Sequence, residues 1–238
     1  MVKNKLYKSD PRDLPNYSPT QAARYAGVHP ATLRSWFFGR AYATRDGEVR
    51  SQPVIQPAST TPNLLSFNNL IEAFVLQSLR STHSVPMKTV REALDVAASE
   101  YGIQRPLLRN SLEVAFGELF IKHYGRLRHL KDSQQLLLKS YFMAHATRVE
   151  LDEDLLPRRY YPFSGLLPML VGAEGAEERP IMIDPNVGFG QPTVVGSGVN
   201  TYVIAERIDA GETVDELTED YGITVAQVHA ALAFDQAA

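Results

Sequence analysis

Residues 17–39 constrain the chain most, because their start and stop signals leave room for little except two short helices about a tight turn. Ser18 is a good N-cap, Pro19 suits the first helical position, and Gln21 completes a capping box. Ala22, Ala23 and Ala26 then form a small inner face that another helix can approach closely. Gly27 ends this helix by supplying the positive φ that a tight turn needs. Pro30 opens a second helix, in which Leu33, Trp36 and Phe37 recur at three-to-four-residue spacing, and Gly39 stops it. Two short helices joined by a glycine turn make the helix-turn-helix pattern.

Asp46-Gly47, set between short β-prone runs, predicts a hairpin directly after the second helix, in the place of a wing. Residues 56–63, with Pro57 and Pro62, read as a linker. Ser66 caps a helix carrying Leu70, Ile71, Phe74, Val75 and Leu79 as its apolar stripe. Pro86 opens another, with Met87, Val90, Leu94 and Ala97 inward and Gly102 at its end. Further on, Leu112–Lys122 alternates like a strand that Gly125–Leu130 can pair with, Ser133–Ala146 has helical spacing, and Ala173–Glu178 reads as an exposed linker. In the last segment Thr201 caps a helix closed by Gly211, Thr213 with Glu216 caps a second, and Thr224 with Gln227 caps a third. Val225, Val228, Leu232 and Phe234 are its expected inner face. This is a second helix-turn-helix. The expected fold is α+β, mainly α, in three parts: 1–100, a winged helix-turn-helix; 101–178, a helix and hairpin region; and 179–238, a three-helix module.

A formal net charge of −3 conceals a strong asymmetry. Residues 1–150 hold 20 Lys and Arg against 12 Asp and Glu, whereas residues 151–238 hold 4 against 15. A basic half beside an acidic half suggests that one end meets a polyanion and the other does not. The chain has no cysteine, which excludes disulfides, thiolate metal sites and cysteine nucleophiles and suits a reducing compartment. The polar start lacks the apolar core of a signal peptide, and no apolar run approaches spanning length, so a cytoplasmic protein without a membrane partner is expected. Signs of catalysis are poor. The glycine run from Gly188 to Gly198 lacks phosphate-loop spacing and the following Lys, the six histidines show no ligand spacing, and Asp152-Glu153-Asp154 has the look of a solvated face. No catalytic residue, metal or cofactor is expected.

The residues resemble known families in two places. Tyr17–Ala23, Gly27–Trp36, the Asp46-Gly47 wing, Leu65–Ile71 and the stretch from Val85 to Ala93 resemble a MerR-type winged helix-turn-helix. From Ile183-Asp184-Pro185 through Gly190–Thr201 and Tyr221–Thr224 to Leu232, the chain resembles a small helix-turn-helix domain of undefined function found in many bacterial antitoxins. Together, and at this length, they resemble a VapB-type antitoxin of the large two-domain mycobacterial kind, over nearly everything except about 105–175. The resemblance implies the antitoxin of a type II pair, which silences a PIN-domain ribonuclease by direct binding and autoregulates its operon as a homodimer on palindromic operator DNA. One departure is that MerR-type activators continue into a long dimerising coiled coil, and no heptad run follows residue 100.

DNA affinity needs Lys and Arg, and specificity needs side chains on a helix that enters the major groove. The second helix offers Thr32, Arg34 and Ser35 away from its apolar stripe. Arg34 is the candidate for guanine, whose O6 and N7 match a guanidinium. Arg24, Arg40, Arg45 and Arg50 are the candidates for phosphate, while the spacing of Trp36 places it in the core. In residues 200–238 a single basic residue, Arg207, faces eight acidic ones, which opposes DNA docking. That module either dimerises or binds a partner, or it packs on the N-terminal half. PIN ribonucleases hold metal in a carboxylate cluster, and the resemblance makes Arg158, Arg159, Tyr160 and Tyr161 candidates for covering it. A solvated or DNA-facing arginine pair is the alternative. For the whole chain the alternative is a stand-alone MerR-like regulator that senses a small molecule.

Overall fold

The computed structural model describes residues 10–44, 47–81, 86–100, 102–108, 148–162 and 179–236. Among them are seven α-helices and four antiparallel strand pairs, so the fold is α+β and mainly helical. The chain divides into two compact units, residues 1–73 and 74–238.

In the first unit α1 (Pro19–Ala26) starts on the expected capping box: Gln21 N donates to Ser18 Oγ at 3.2 Å and Ser18 N to Gln21 Oε1 at 3.0 Å. Helix α2 (Pro30–Phe38) has His29 as N-cap, whose Nδ1 accepts from Ala31 N at 3.3 Å. Ala22, Ala23, Leu33, Trp36 and Phe37 are all 3% exposed or less, so the two helices bury facing stripes. Strands β1 (Ala41–Thr44) and β2 (Gly47–Arg50) form the wing in the register Ala41↔Arg50 to Thr44↔Gly47. Gly47 is thus the first residue of a strand, paired with Thr44, and Asp46 lies outside the described residues. At Gly39 φ is +71°, and a Cβ there would lie 2.2 Å from the Ser51 carbonyl oxygen. Only glycine lets the return of the wing lie so close to the end of α2. The same return donates Val54 N and Ile55 N to the Trp36 carbonyl at 2.7 and 3.2 Å, satisfying an end-of-helix acceptor.

The linker contains a small ribbon of its own, β3 (Ser59–Thr60) paired with β4 (Asn63–Leu64). Leu65 then bridges Tyr17, tying the entry of α1 to the entry of α3 (Phe67–Ser81). Asn69, 1% exposed, uses its whole amide there. Its Oδ1 accepts from Ala58 N at 2.8 Å and Ser66 N at 3.2 Å, and its Nδ2 donates to the Gln56 carbonyl and to Glu72 Oε2, both at 2.9 Å. With Asn69 N donating to Ser66 Oγ, Asn69 closes a capping box from the third helical position.

In the second unit α4 (Met87–Ser99) buries Val90, Ala93 and Ala97, and Met87 and Leu94 are half-buried. The expected strands and helix between residues 112 and 146, and the linker at 173–178, lie outside the described residues. Strands β5 (Val149–Leu151) and β6 (Pro157–Tyr160) make a hairpin. Tyr160 exchanges both backbone hydrogen bonds with Ile183, just after β7 (Ile181–Met182), which pairs with β8 (Thr193–Val194). Three helices follow: α5 (Thr201–Asp209), α6 (Val214–Tyr221) and α7 (Val225–Gln236). The boxes Thr213/Glu216 and Thr224/Gln227 both form. Asn200, not Thr201, is the N-cap of α5; Thr201 is already helical and 2% exposed. Val225 is 46% exposed, because at 100° per residue it lies across α7 from the buried Gln227, Ala231 and Phe234.

Candidate nucleic-acid interface

Helix α2 separates its two faces cleanly. Leu33, Trp36 and Phe37 are buried, Thr32 and Ser35 are half-buried, and Arg34 is exposed. A short helix with its apolar stripe anchored and a guanidinium outward is the geometry that a major-groove reader needs. Arg40 and Arg50, at the foot of the wing, are both exposed. Arg50 Nη2 donates to the Phe38 carbonyl at 3.1 Å, placing a cation on the C-terminal end of α2, where the helix dipole favours it. Arg40 is held through its backbone: its N donates to Ser51 Oγ and its carbonyl accepts from Ser51 N, both at 2.9 Å. Arg24 is half-buried, with its guanidinium 5.8 Å from the Tyr25 ring centre. Arg45 lies outside the described residues.

Two features of this face are missed by reading motifs alone. His29 caps α2; its position directly before Pro30 is the signal that a cap is due there. Tyr42 and Val49, cross-strand partners, are 46% and 43% exposed and put an apolar pair on the wing. Strand alternation, applied to the wing as well as to the core, is enough to find them.

The arginines of β6 part company. Arg159 Nε donates to Asp184 Oδ2 at 2.9 Å, and its Nη1 lies 3.2 Å from Glu150 Oε1. Asp184, 3% exposed, also accepts Asn186 N at 2.9 Å. The hydrogen bond that Arg159 donates to Asp184, supported by Glu150, holds the Arg159 charge more firmly than usual. Tyr161 donates its hydroxyl to Glu150 Oε2 at 2.9 Å, and burial, with the Glu150 carboxylate, pushes that hydroxyl up from the ordinary phenol range. Tyr160 is fully buried, its ring 5.1 Å from that of Phe74. Arg158 is exposed, and among the described residues it makes no ion pair. The structure therefore brings Arg159, Tyr160 and Tyr161 together in a cluster that joins the hairpin to Asp184, with Arg158 facing outward.

In the C-terminal helix-turn-helix, Arg207 binds Glu212 through its Nε at 2.8 Å and Asp220 at 2.6 Å, with its guanidinium 5.0 Å from the Tyr221 ring centre. Arg207, the single Lys or Arg of residues 200–238, is thus engaged by the acidic residues around it.

Residues 15–94 match the model of a domain described as "Putative DNA-binding HTH domain", and residues 181–234 match one described as "Protein of unknown function (DUF433)". The chain is 28% identical to "Putative antitoxin VapB45" of Mycobacterium tuberculosis, across 92% of this chain and 93% of that one. It resembles a VapB antitoxin along nearly its whole length. It is also 22% identical to "Uncharacterized protein Rv2308" of the same organism, over 91% and 88% of the two chains. The crystal structure of Rv2018 from Mycobacterium tuberculosis shares the fold, with a TM-score of 0.61 at 23% identity over 92% of this chain and 98% of that one. No helix among the described residues is long and apolar enough to cross a membrane.

Proposed function

We propose that this chain is the antitoxin of a type II toxin–antitoxin pair, a cytoplasmic regulator without catalytic activity of its own. Its N-terminal helix-turn-helix binds operator DNA as a homodimer and so autoregulates the operon. Another surface binds and silences a PIN-domain ribonuclease. The observation that carries this reading is the likeness to a named antitoxin along nearly the entire chain. The exposed Arg34, with Arg40 and Arg50 at the foot of the wing, supports the DNA half. In that role Arg34 reads a base edge, Thr32 and Ser35 approach the same groove, and Arg24, Arg40, Arg45 and Arg50 neutralise phosphates. The exposure of Arg158 on β6, beside the engaged Arg159, supports giving Arg158 the contact with the carboxylates of a nuclease metal site.

The test is co-expression of the tagged chain with the product of the adjacent gene, followed by a ribonuclease assay. Stable co-purification with loss of ribonuclease activity is the expected outcome. A neighbour that neither co-purifies nor is inhibited leaves the stand-alone MerR-like regulator as the better account.

A further inference from the structure

The wing is fixed to the C-terminal end of α2. Gly39 lies against the Ser51 carbonyl, Ser51 N donates to the Arg40 carbonyl at 2.9 Å, and Val54 N and Ile55 N donate to that of Trp36. A side chain on α2 that enters the major groove therefore brings the wing to the backbone at the border of that groove. A four-residue strand is about 10 Å long, close to the roughly 12 Å width of the groove. Tyr42 and Val49 stand directly opposite each other, so they share one face of the ribbon, at 46% and 43% exposure. Ala41 and Ala43, on the other face, are exposed as well, so neither face is buried in a core. A Tyr–Val pair steadies the ribbon, but a threonine pair does the same without holding an aromatic ring in water.

The charge beside the pair selects the occupant. Arg40 lies two residues before Tyr42 and Arg50 directly after Val49, and both are exposed. Among the described residues Arg40 has no ion pair, and Arg50 donates to a carbonyl, that of Phe38. Residues 1–50 hold nine Lys and Arg against four Asp and Glu, so the whole segment favours a polyanion. An apolar pair flanked by cations matches the edge of a duplex, where phosphates alternate with deoxyriboses that present C–H groups. We infer that Tyr42 and Val49 pack against deoxyribose on the strand that borders the α2 site, while Arg40 and Arg50 meet the phosphates beside it. The inference rests on the DNA-binding reading above and adds to it an apolar contact made by neither the base-reading nor the phosphate-binding candidates. Such a contact is blind to sequence and releases no counterion, so salt does not screen it.

The full-length chain and its double variant Tyr42→Thr/Val49→Thr are titrated across a salt series on the DNA upstream of the gene and on a scrambled duplex. Threonine keeps the strand preference, and amide exchange at Ser51 and Ile55 checks that the ribbon still closes onto α2. The variant is expected to bind both duplexes at least about fivefold more weakly, with the slope of log K against log salt unchanged. Arg40→Ala, in contrast, is expected to lower that slope by about one. A photoreactive benzoylphenylalanine at position 42, which captures C–H groups at contact distance, is expected to cross-link to the duplex. Wild-type affinity in the threonine variant, a lowered salt slope in it, or a cross-link that forms only to protein overturns the inference and leaves the DNA-binding reading standing. Absence of binding to either duplex by wild type removes both. Should the threonine variant lose its exchange protection, the cross-link decides alone.

Discussion

Asn69→Ala is expected to destabilise the first unit by about 2 kcal/mol, because two buried and two part-buried hydrogen bonds are lost together. Ala58 N and Ser66 N lose their acceptor, and the Gln56 carbonyl and Glu72 lose a donor, at a residue that is 1% exposed. Alanine also opens a small void where the amide had been. Asn69→Leu is expected to be no better, because it fills the void but satisfies none of the four groups. Residue-resolved hydrogen exchange is the suitable measurement, since a chain of two units does not promise a single unfolding transition. Fast exchange at Ala58 and Ser66, spreading to α1 and α2, is the expected result. Exchange at wild-type rates contradicts the role given to Asn69.

The second large effect belongs to Arg159. Arg159→Met keeps much of the stem volume but leaves Asp184 as a buried carboxylate without its guanidinium, and is expected to cost about 2 kcal/mol. The figure lies below that for a fully buried pair because the Arg159 side chain is 29% exposed. Arg158→Ala, one residue earlier on the same strand, is expected to change stability by less than about 0.5 kcal/mol, as an exposed surface site does. Thermal melts of the two variants side by side separate the roles. Equal losses mean that the Asp184 contact is not what holds the hairpin to Ile183.

Much of the fold is legible in the residues because the helices are bounded by local chemistry. Ser18/Gln21, Thr213/Glu216 and Thr224/Gln227 each close within four residues, and Gly27 and Gly222 mark the stops of the first two helices. What escapes is non-local. Asn69 does not match the Glu or Gln expected in a capping box, and its other partners, Gln56 and Ala58, lie in a stretch that reads as a linker. The short strands β3 to β8 are two to four residues long, too brief for alternation to declare itself. Arg159 and Asp184 are 25 residues apart, and nothing local pairs them. At the candidate interface the apolar stripe of α2 is sufficient to put Arg34 outside, because burying Leu33, Trp36 and Phe37 leaves Arg34 no other face. The 92% exposure of Phe189 is illegible for the opposite reason: a lone aromatic in a glycine run carries no period.

The charge asymmetry and the engaged Arg207 support our proposal that the first helix-turn-helix, and not the second, binds DNA. The most direct test of that assignment is a binding titration of the full chain on the DNA upstream of its own gene and on a scrambled duplex, with wild type and Arg34→Ala at one fixed salt concentration. Preference for the upstream DNA, lowered by about 1–3 kcal/mol in Arg34→Ala, is the expected result, with weak binding to the scrambled duplex nearly unchanged. Equal binding of wild type to both duplexes, or an Arg34→Ala curve that overlays the wild type, contradicts it.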